Sequence, residues 1–267
     1  MPDSDIPQLS TLENLLQTAV DAAQTASPQI LKRFQQVDLQ VEGKEDGSPV
    51  TIADKEAEAT IRKELESNKI LGELDILGEE EGLVGKGSRY RWVVDPIDGT
   101  RSFINGIPLF GTIIALEDTS NGQALVGVIH LPVLGMTYAG ARGLGCSCNG
   151  KPVRVTSQSD IEKVMISIGD PAQFTSAHFE KGYRRLQESC PYLRGYADCF
   201  GHGLVVGGAV GAMCDPGLNP WDVMATQVLI EEAGGLILLR PSALPNKVDT
   251  IFGNRDLVQF LSKELSF

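Results

Sequence analysis

The chain has 267 residues, enough for one large domain or two modest ones around a real core. Apolar residues make up 42% and charged residues 22%, the balance of an ordinary globular protein rather than a disordered, collagenous or fibrous one. With 23 Lys and Arg against 35 Asp and Glu the net charge is −12, and such a surface repels phosphate backbones, so no nucleic-acid partner is expected.

The first residues, Met1 to Leu16, lack the basic segment and continuous apolar run of a secretory leader, and a cytoplasmic location is expected. No membrane partner is expected either: the Gly-rich stretch between His202 and Asp215 is well short of the roughly 18 residues a bilayer requires. Leu9, Leu12, Leu16, Ala19, Ala23, Ile30 and Phe34 recur at helical spacing, which predicts a long amphipathic helix, opened by a capping box of Ser10 and Glu13 and kinked or restarted at Pro28. The polar loop Glu42 to Pro49 is expected to be mobile. A second helix begins near Thr51, with Ala53, Ala57, Ile61 and Leu65 on one face.

Short β-rich runs follow at Leu74 to Leu77, Tyr90 to Val94, Phe110 to Leu116, Ala124 to Leu131 and Gly135 to Ala139, a spacing that predicts a largely antiparallel sheet. Beyond about Gly150 strands and helices alternate. The pattern there predicts a strand at Val164 to Ile168, a helix at Ser176 to Glu188, a short strand near Tyr196 and a helix at Gly201 to Ala209. It continues with a strand at Val210 to Cys214, a helix at Pro220 to Ala233, a strand at Leu236 to Leu239 and a last helix from about Asn254. The expected fold is therefore α+β to α/β, two αβ halves meeting at a cleft. Residues 1–150 would form an N-terminal α+β half with a mostly antiparallel sheet, and residues 151–267 a mixed αβ half. Cys146, Cys148, Cys190, Cys199 and Cys214 lack metal-binding spacing and read as idle thiols. His130, His178 and His202 read as packing or surface residues rather than metal ligands, with an approach to the substrate as the alternative for His202.

Three segments gather acids where strands should end: Gly78-Glu79-Glu80-Glu81, Asp95-Pro96-Ile97-Asp98-Gly99-Thr100 and Asn219-Pro220-Trp221-Asp222. Each has a local structural alternative. Asp98-Gly99 fits a tight turn, Asp222 fits a capping-box acid behind Asn219, and the acids after Leu77 fit a solvated run. Together they suggest more. Asp95 and Asp98 are three apart, so both carboxylates and the Ile97 carbonyl can face one point. Two carboxylates about 4 Å apart repel by roughly 1 kcal/mol in water and about 4 at an effective dielectric near 20, so a cluster of four requires cations or protons. An all-oxygen set without His or Cys selects Mg²⁺ or Mn²⁺ over zinc. Gly99 and Thr100 then open a helical turn whose free N–H groups suit a phosphate, and the combination predicts metal-assisted phosphate chemistry.

At these residues the chain resembles a known family. Gly78-Glu79-Glu80, the run Trp92-Val-Val-Asp95-Pro-Ile-Asp98-Gly-Thr100-Arg-Ser-Phe103, and Trp221-Asp222 followed by Glu232-Ala-Gly-Gly235 closely resemble the inositol monophosphatase family of Mg²⁺-dependent phosphatases. The motifs lie in order, and the likeness covers nearly the whole chain. Lys44 to Asp54, Phe103 to Thr112, Ala197-Asp198-Cys199 and Pro216 to Asp222 resemble its histidinol-phosphate phosphatase branch most. The resemblance implies a layered αβαβα sandwich, a homodimer and a small phosphorylated metabolite as substrate.

It also implies two or three Mg²⁺ ions, with Mn²⁺ as a substitute. One lies on Glu79, Asp95 and the Ile97 carbonyl, a second on Asp95, Asp98 and Asp222, and a weaker third shares Glu79 with waters; Lys44 in the mobile loop reads either as an exposed lysine or as a balance to the negative charge of the acids at that third site. Most metal ligands thus fall in the N-terminal half, with Asp222 and the substrate side in the C-terminal half. Asp98, Gly99 and Thr100 would hold the phosphate. Glu79 and Thr100 would orient the attacking water, and Asp54 would hydrogen-bond Thr100 and relay the proton. Asp54 otherwise reads as a first-turn acid complementing its helix. Ala197, Asp198 and Asp215 would meet the organic part of the substrate, where carboxylates suit the ammonium and imidazole of L-histidinol phosphate; Asp215 reads equally as the end of the strand Val210 to Cys214 in a Pro216-Gly217 turn. Other readings are an inositol-1-phosphate or broad sugar-phosphate monophosphatase and, from another class, a catalytically silent metabolite-binding protein.

Overall fold

The structure, a computed structural model, describes residues 6–36, 41–43 and 49–267. Lys44 and the middle of the expected Glu42 to Pro49 loop lie outside the described residues.

Helix α1 (Leu9–Arg33) buries Leu12, Leu15, Ala19, Ala22, Ala23, Ala26 and Ile30, the stripe that the periodicity predicts with small shifts. Its start differs from expectation. Thr11 and Leu12 donate N–H to the Gln8 carbonyl, so the helix is already under way at Ser10 and no capping box forms. Pro28 lies inside α1 without ending it, because burial of Ala26 and Ile30 on either side offsets the one missing N–H bond. Strands β1 (Val41–Gly43) and β2 (Pro49–Thr51) pair antiparallel and lead into α2 (Ile52–Ser67), which packs along α1.

The first sheet is built from β3 (Asp75–Gly78), β4 (Gly82–Val84), β5 (Tyr90–Asp98), β6 (Gly111–Asp118), β7 (Gln123–Leu131), β8 (Met136–Ala141), β9 (Gly145–Cys148) and β10 (Lys151–Pro152). The short helix α3 (Thr100–Ile104) follows β5. Strand order is β10-β9-β8-β7-β6-β5-β3-β4, antiparallel throughout except for β3 beside β5. Strand β5 does not stop at Val94 as expected. It continues to Asp98 through a bulge, since Asp95 opposes Ile113 and Asp98 opposes Gly111, three steps against two. Pro96, which cannot donate to a ladder, is tolerated at that bulge.

The second half contains β11 (Ile166–Ile168), α4 (Pro171–Ser176), α5 (Glu180–Ser189), β12 (Leu193–Arg194), α6 (Asp198–Val206), β13 (Ala212–Leu218), α7 (Pro220–Glu232), β14 (Leu236–Pro241), β15 (Val248–Gly253) and α8 (Arg255–Leu265). Its five strands are ordered β12-β11-β13-β15-β14, parallel across β12-β11-β13 and antiparallel beyond. Strand β13 also bulges, between Asp215 and Leu218. The helix expected over Ser176 to Glu188 starts later, at Glu180, and a further helix that was not expected, α4, ends at Ser176; the two are separated where His178 adopts a left-handed φ of 63°. The helix expected at Gly201 starts three residues earlier, at Asp198. Strand β15 has no counterpart in the sequence reading.

Three apolar clusters fix a layered order. On one face of the first sheet, Trp92, Val94, Ile114 and Leu116 pack under α1 and α2. On its other face Val93, Ile113 and Ala115 meet α6 and α7, which in turn meet Met213 and Phe252 of the second sheet. Ala212, Cys214 and Ile251 look away from α7 onto α4, α5 and α8. The layers are α, β, α, β, α, and the middle helices α6 and α7 are wedged between the sheets.

Candidate active site

The acids gather where β5, α6, α7 and the β3–β4 turn meet. Asp95, 2% exposed, lies at the bulge of β5, and its Oδ1 accepts the backbone N–H of Ile97 at 3.1 Å. Asp98 ends the strand, and its Oδ2 accepts the backbone N–H of Cys199 at the start of α6. Asp222 is the third residue of α7, behind Asn219 and Pro220. Its Oδ2 accepts the backbone N–H of Asn219 at 2.8 Å. The capping reading of Asp222 and its place in the cluster are therefore both realised, since a carboxylate has a second oxygen.

Asp95, Asp98 and Asp222 each offer an oxygen within 4.8 Å of the others. Burial, then the charges of Glu79, Asp98 and Asp222, push the Asp95 carboxyl well above the usual range. Burial, then Asp198 and Asp222, do the same to Asp98 against the pull of the Cys199 N–H. Asp222 is raised to about 7 by burial and by Glu79, opposed by the Asn219 N–H. Carboxylates held this close are stable as protonated acids or as ligands of a cation. Among the described residues the group that brings its ligand atoms together is all oxygen, Asp95, Asp98 and Asp222, which fits a hard divalent ion.

Glu79 enters from the turn between β3 and β4, where its N–H donates to the Val94 carbonyl at 3.1 Å. The Ile97 carbonyl lies outside the β5–β6 ladder and accepts the Thr100 hydroxyl at 3.0 Å. Gly99 holds α3 at this spot with a left-handed φ of 84°, and a Cβ there would come within 3.1 Å of Asp198 Oδ2 and of the Leu109 carbonyl.

Asp54 does not bond Thr100 as expected. Its Oδ2 accepts both the N–H and the hydroxyl of Thr51, at 2.8 and 2.6 Å, in a capping box that opens α2. The Thr100 hydroxyl donates its proton to the Ile97 carbonyl instead, which leaves its oxygen able to accept from a water. Asp54 still lies near Glu79, and burial raises it to about 6 against the Thr51 bonds.

A second group of acids continues the cleft. A cavity of about 150 Å³ is lined by Asp98, Arg101, Ala197, Asp198, Asp215 and Asp222 together with Asp170 and His202. It adjoins a wider one of about 350 Å³ that includes Glu79, Gly99 and Thr100. Burial and Asp215 raise Asp198 to about 6, opposed by His202 and Arg101. Asp215 is raised by burial and opposed by His202, whose Nε2 lies 3.2 Å from Asp215 Oδ2 while its Nδ1 meets Thr226 Oγ1 at 2.7 Å. His202 is thus buried at the cleft wall rather than on a surface.

Of the acids named from the sequence, Asp95, Asp98 and Asp222 come together, Glu79, Asp198 and Asp215 line the two adjoining cavities, and Asp54 lies near enough to Glu79 to feel its charge. Sequence reasoning gave no site role to Asp170 or Arg101, whereas His202, read as a packing or surface histidine with an approach to the substrate as the alternative, is buried and lines the small cavity. The Asp170-Pro171 pair carries a helix-start signal, an N-cap before a first-position proline, that could have placed Asp170 at this rim. A larger depression of about 520 Å³ at the sheet edge holds one buried acid, Asp75, already satisfied by the N–H groups of Lys86, Gly87 and Ser88.

A sequence model described as the inositol monophosphatase family matches residues 11–251. A histidinol-phosphatase of Chlorobaculum parvum is 37% identical over 220 residues, 82% of this chain and 83% of that protein. An inositol-1-monophosphatase of Mesorhizobium japonicum is 35% identical over 237 residues, 84% of each. Among solved structures, the extragenic suppressor protein suhB of Bartonella henselae superimposes with a TM-score of 0.85 at 28% identity, covering 94% of this chain and 98% of that one.

Proposed function

We propose that L-histidinol phosphate is the substrate of this chain, which belongs to the inositol monophosphatase family of metal-dependent phosphatases. One observation carries the choice. Beyond the metal-binding acids, Asp198 and Asp215 line the small cavity with Asp170 at its rim, and this negative wall suits an organic group bearing an ammonium and an imidazole. A neutral polyol gains less from it. The likeness to a histidinol-phosphatase supports the same reading.

Glu79, Asp95, the Ile97 carbonyl, Asp98 and Asp222 are the residues that would hold two or three Mg²⁺ ions, or Mn²⁺ in their place. Bound there, such ions supply positive charge to the phosphoryl oxygens and lower the pKa of water. The chain supplies the rest. Gly99 and the first turn of α3 turn backbone N–H groups toward the phosphate beside Asp98 and Thr100. Glu79 and Thr100 orient a water on the face of phosphorus opposite the leaving oxygen. Asp54, raised to about 6 beside Glu79, takes up the proton that water gives up. Ala197, Asp198 and Asp215 fix the organic end, so that attacking oxygen, phosphorus and leaving oxygen stand in line. The enzyme works as a cytoplasmic homodimer on a free metabolite, and light scattering should return twice the mass of one chain.

Steady-state kinetics on L-histidinol phosphate and inositol 1-phosphate, side by side with Mg²⁺ present and then chelated, test the reading. The expected result is metal-dependent phosphate release with kcat/KM at least tenfold higher on histidinol phosphate. A tenfold preference for the inositol ester, roughly 1.4 kcal/mol of discrimination, would reverse the assignment in favour of the inositol reading, which the Mesorhizobium relative supports. Tight binding without turnover would instead mark a silent metabolite-binding protein.

A further inference from the structure

We infer that Glu58 and Arg62, a buried ion pair about two and three turns into α2, are positioning residues that set where the Glu79 carboxylate stands. The inference rests on the reading of Glu79 as a metal ligand. Glu58 is 0% exposed and Arg62 6%. Arg62 Nε and Nη2 approach Glu58 Oε1 at 2.9 and 2.8 Å. The remaining capacity of the pair is spent on the turn that carries Glu79. Glu58 Oε2 accepts the N–H of Glu80 at 2.8 Å and Oε1 accepts the N–H of Glu81 at 3.1 Å. Arg62 Nη2 donates to the Gly82 carbonyl at 2.8 Å and Nη1 to the Ile76 carbonyl at 3.4 Å.

The turn is therefore held on both sides, at Ile76 before Glu79 and at Glu80 to Gly82 after it. Gly78 lets the pair come this near: a Cβ there would lie 2.0 Å from Glu58 Oε1 and 2.7 Å from Arg62 Nη2. A purely cohesive role would not need this arrangement, since burying two charges gains little stability over an apolar pair of similar size. What the charges provide is direction. One carboxylate gathers two successive N–H groups and one guanidinium gathers two carbonyls, which fixes the turn in rotation as well as in distance. Asp54, one turn earlier on α2, stands near Glu79 too, so one helix sets both residues.

The test compares Glu58→Gln, the double variant Glu58→Gln with Arg62→Met, and Glu79→Gln, all as metal-free full-length protein. Mn²⁺ binding is read from the free-ion electron paramagnetic resonance signal, and stability from the thermal midpoint without metal. Glu58→Gln should weaken Mn²⁺ binding about tenfold, the usual scale for losing a group that orients a ligand. The double variant removes both buried charges. It should recover thermal stability relative to Glu58→Gln while its Mn²⁺ binding stays weak, and if the single variant does not fold, the double variant alone decides. A lowered thermal midpoint with Mn²⁺ affinity within twofold of the parent would overturn the inference and leave the pair merely structural. Should Glu79→Gln also leave Mn²⁺ binding unchanged, the metal assignment of Glu79 is what fails.

Discussion

Asp95 is the residue on which three other carboxylates press, and removing its charge has two separable effects. Asp95→Asn keeps the shape and is expected to cut turnover by at least about 10²–10³, as loss of a central electrostatic element does. The same variant relieves like-charge repulsion, so its metal-free thermal midpoint at pH 8 should lie above that of the parent. Unchanged phosphate release would count heavily against the site. A second prediction concerns pH. Asp54 and Asp198 at about 6 and Asp222 at about 7 sit above the ordinary carboxylate value near 4, so between these values the folded metal-free chain holds protons that the unfolded chain has released. The stability they contribute is complete below about pH 4 and is lost as pH rises through 6 to 7. The metal-free midpoint should therefore climb from pH 8 to pH 5, while the stabilisation given by saturating Mg²⁺ shrinks over the same range because protons compete for the same oxygens. A midpoint flat across that range would contradict the crowding.

At the scale of elements, α3 depends on Gly99. Gly99→Ala forces a side chain into a left-handed backbone, at a cost of about 1–2 kcal/mol, and drives its Cβ toward Asp198 and the Leu109 carbonyl. The expected outcome is a destabilised protein whose kcat/KM falls more than its stability explains, measured by denaturant titration beside kinetics. The sequence made α1, α2, β5, β6, β7 and α7 legible because long apolar periodicities run through them. Strand β15 was not legible: in Val248-Asp-Thr-Ile-Phe-Gly253 the buried Asp249 breaks the apolar run, and only the fold reveals that it accepts the Gly217 N–H. The clustered acids could be read from the Asp95-Pro96 and Pro220-Trp221-Asp222 patterns at element ends. Glu58 and Arg62 could not, because amphipathic counting treats charged residues as solvent-facing. The successive steps of four from Asp54 to Glu58 to Arg62, beside Ala57 and Ile61, are the signal: charges that flank an apolar stripe at helical spacing.

For the molecule as a whole, the decisive fact is that α6 and α7 share one apolar cluster with both sheets. Asp95 and Asp98 come from the first sheet and Asp222 from the helix between the two, so the site exists only while that middle layer is intact. The halves are predicted to unfold together. The two tryptophans report different places: Trp92 lies under α1 and α2, and Trp221 packs on the middle layer. Single-tryptophan variants in urea should give coincident fluorescence transitions. Transitions with distinct midpoints would mean that the first sheet and its helices survive alone.

The bulge in β5 reaches further than the bend it makes. In a flat ladder two acids on one face must be two residues apart, and the backbone between them is engaged with the neighbouring strand. Here they are three apart, yet oppose a two-step stretch of β6, so one peptide is surplus to the pairing and offers its oxygen at Ile97. That donor belongs to no side chain. Ordinary point mutation leaves it in place, whatever apolar group stands at Ile97, whereas losing a single codon from Pro96-Ile97 would keep both aspartates and their facing and still erase it. On the proposed reading of Ile97 as a metal ligand, the least replaceable atom of the centre is thus inherited as a spacing rather than as an amino acid.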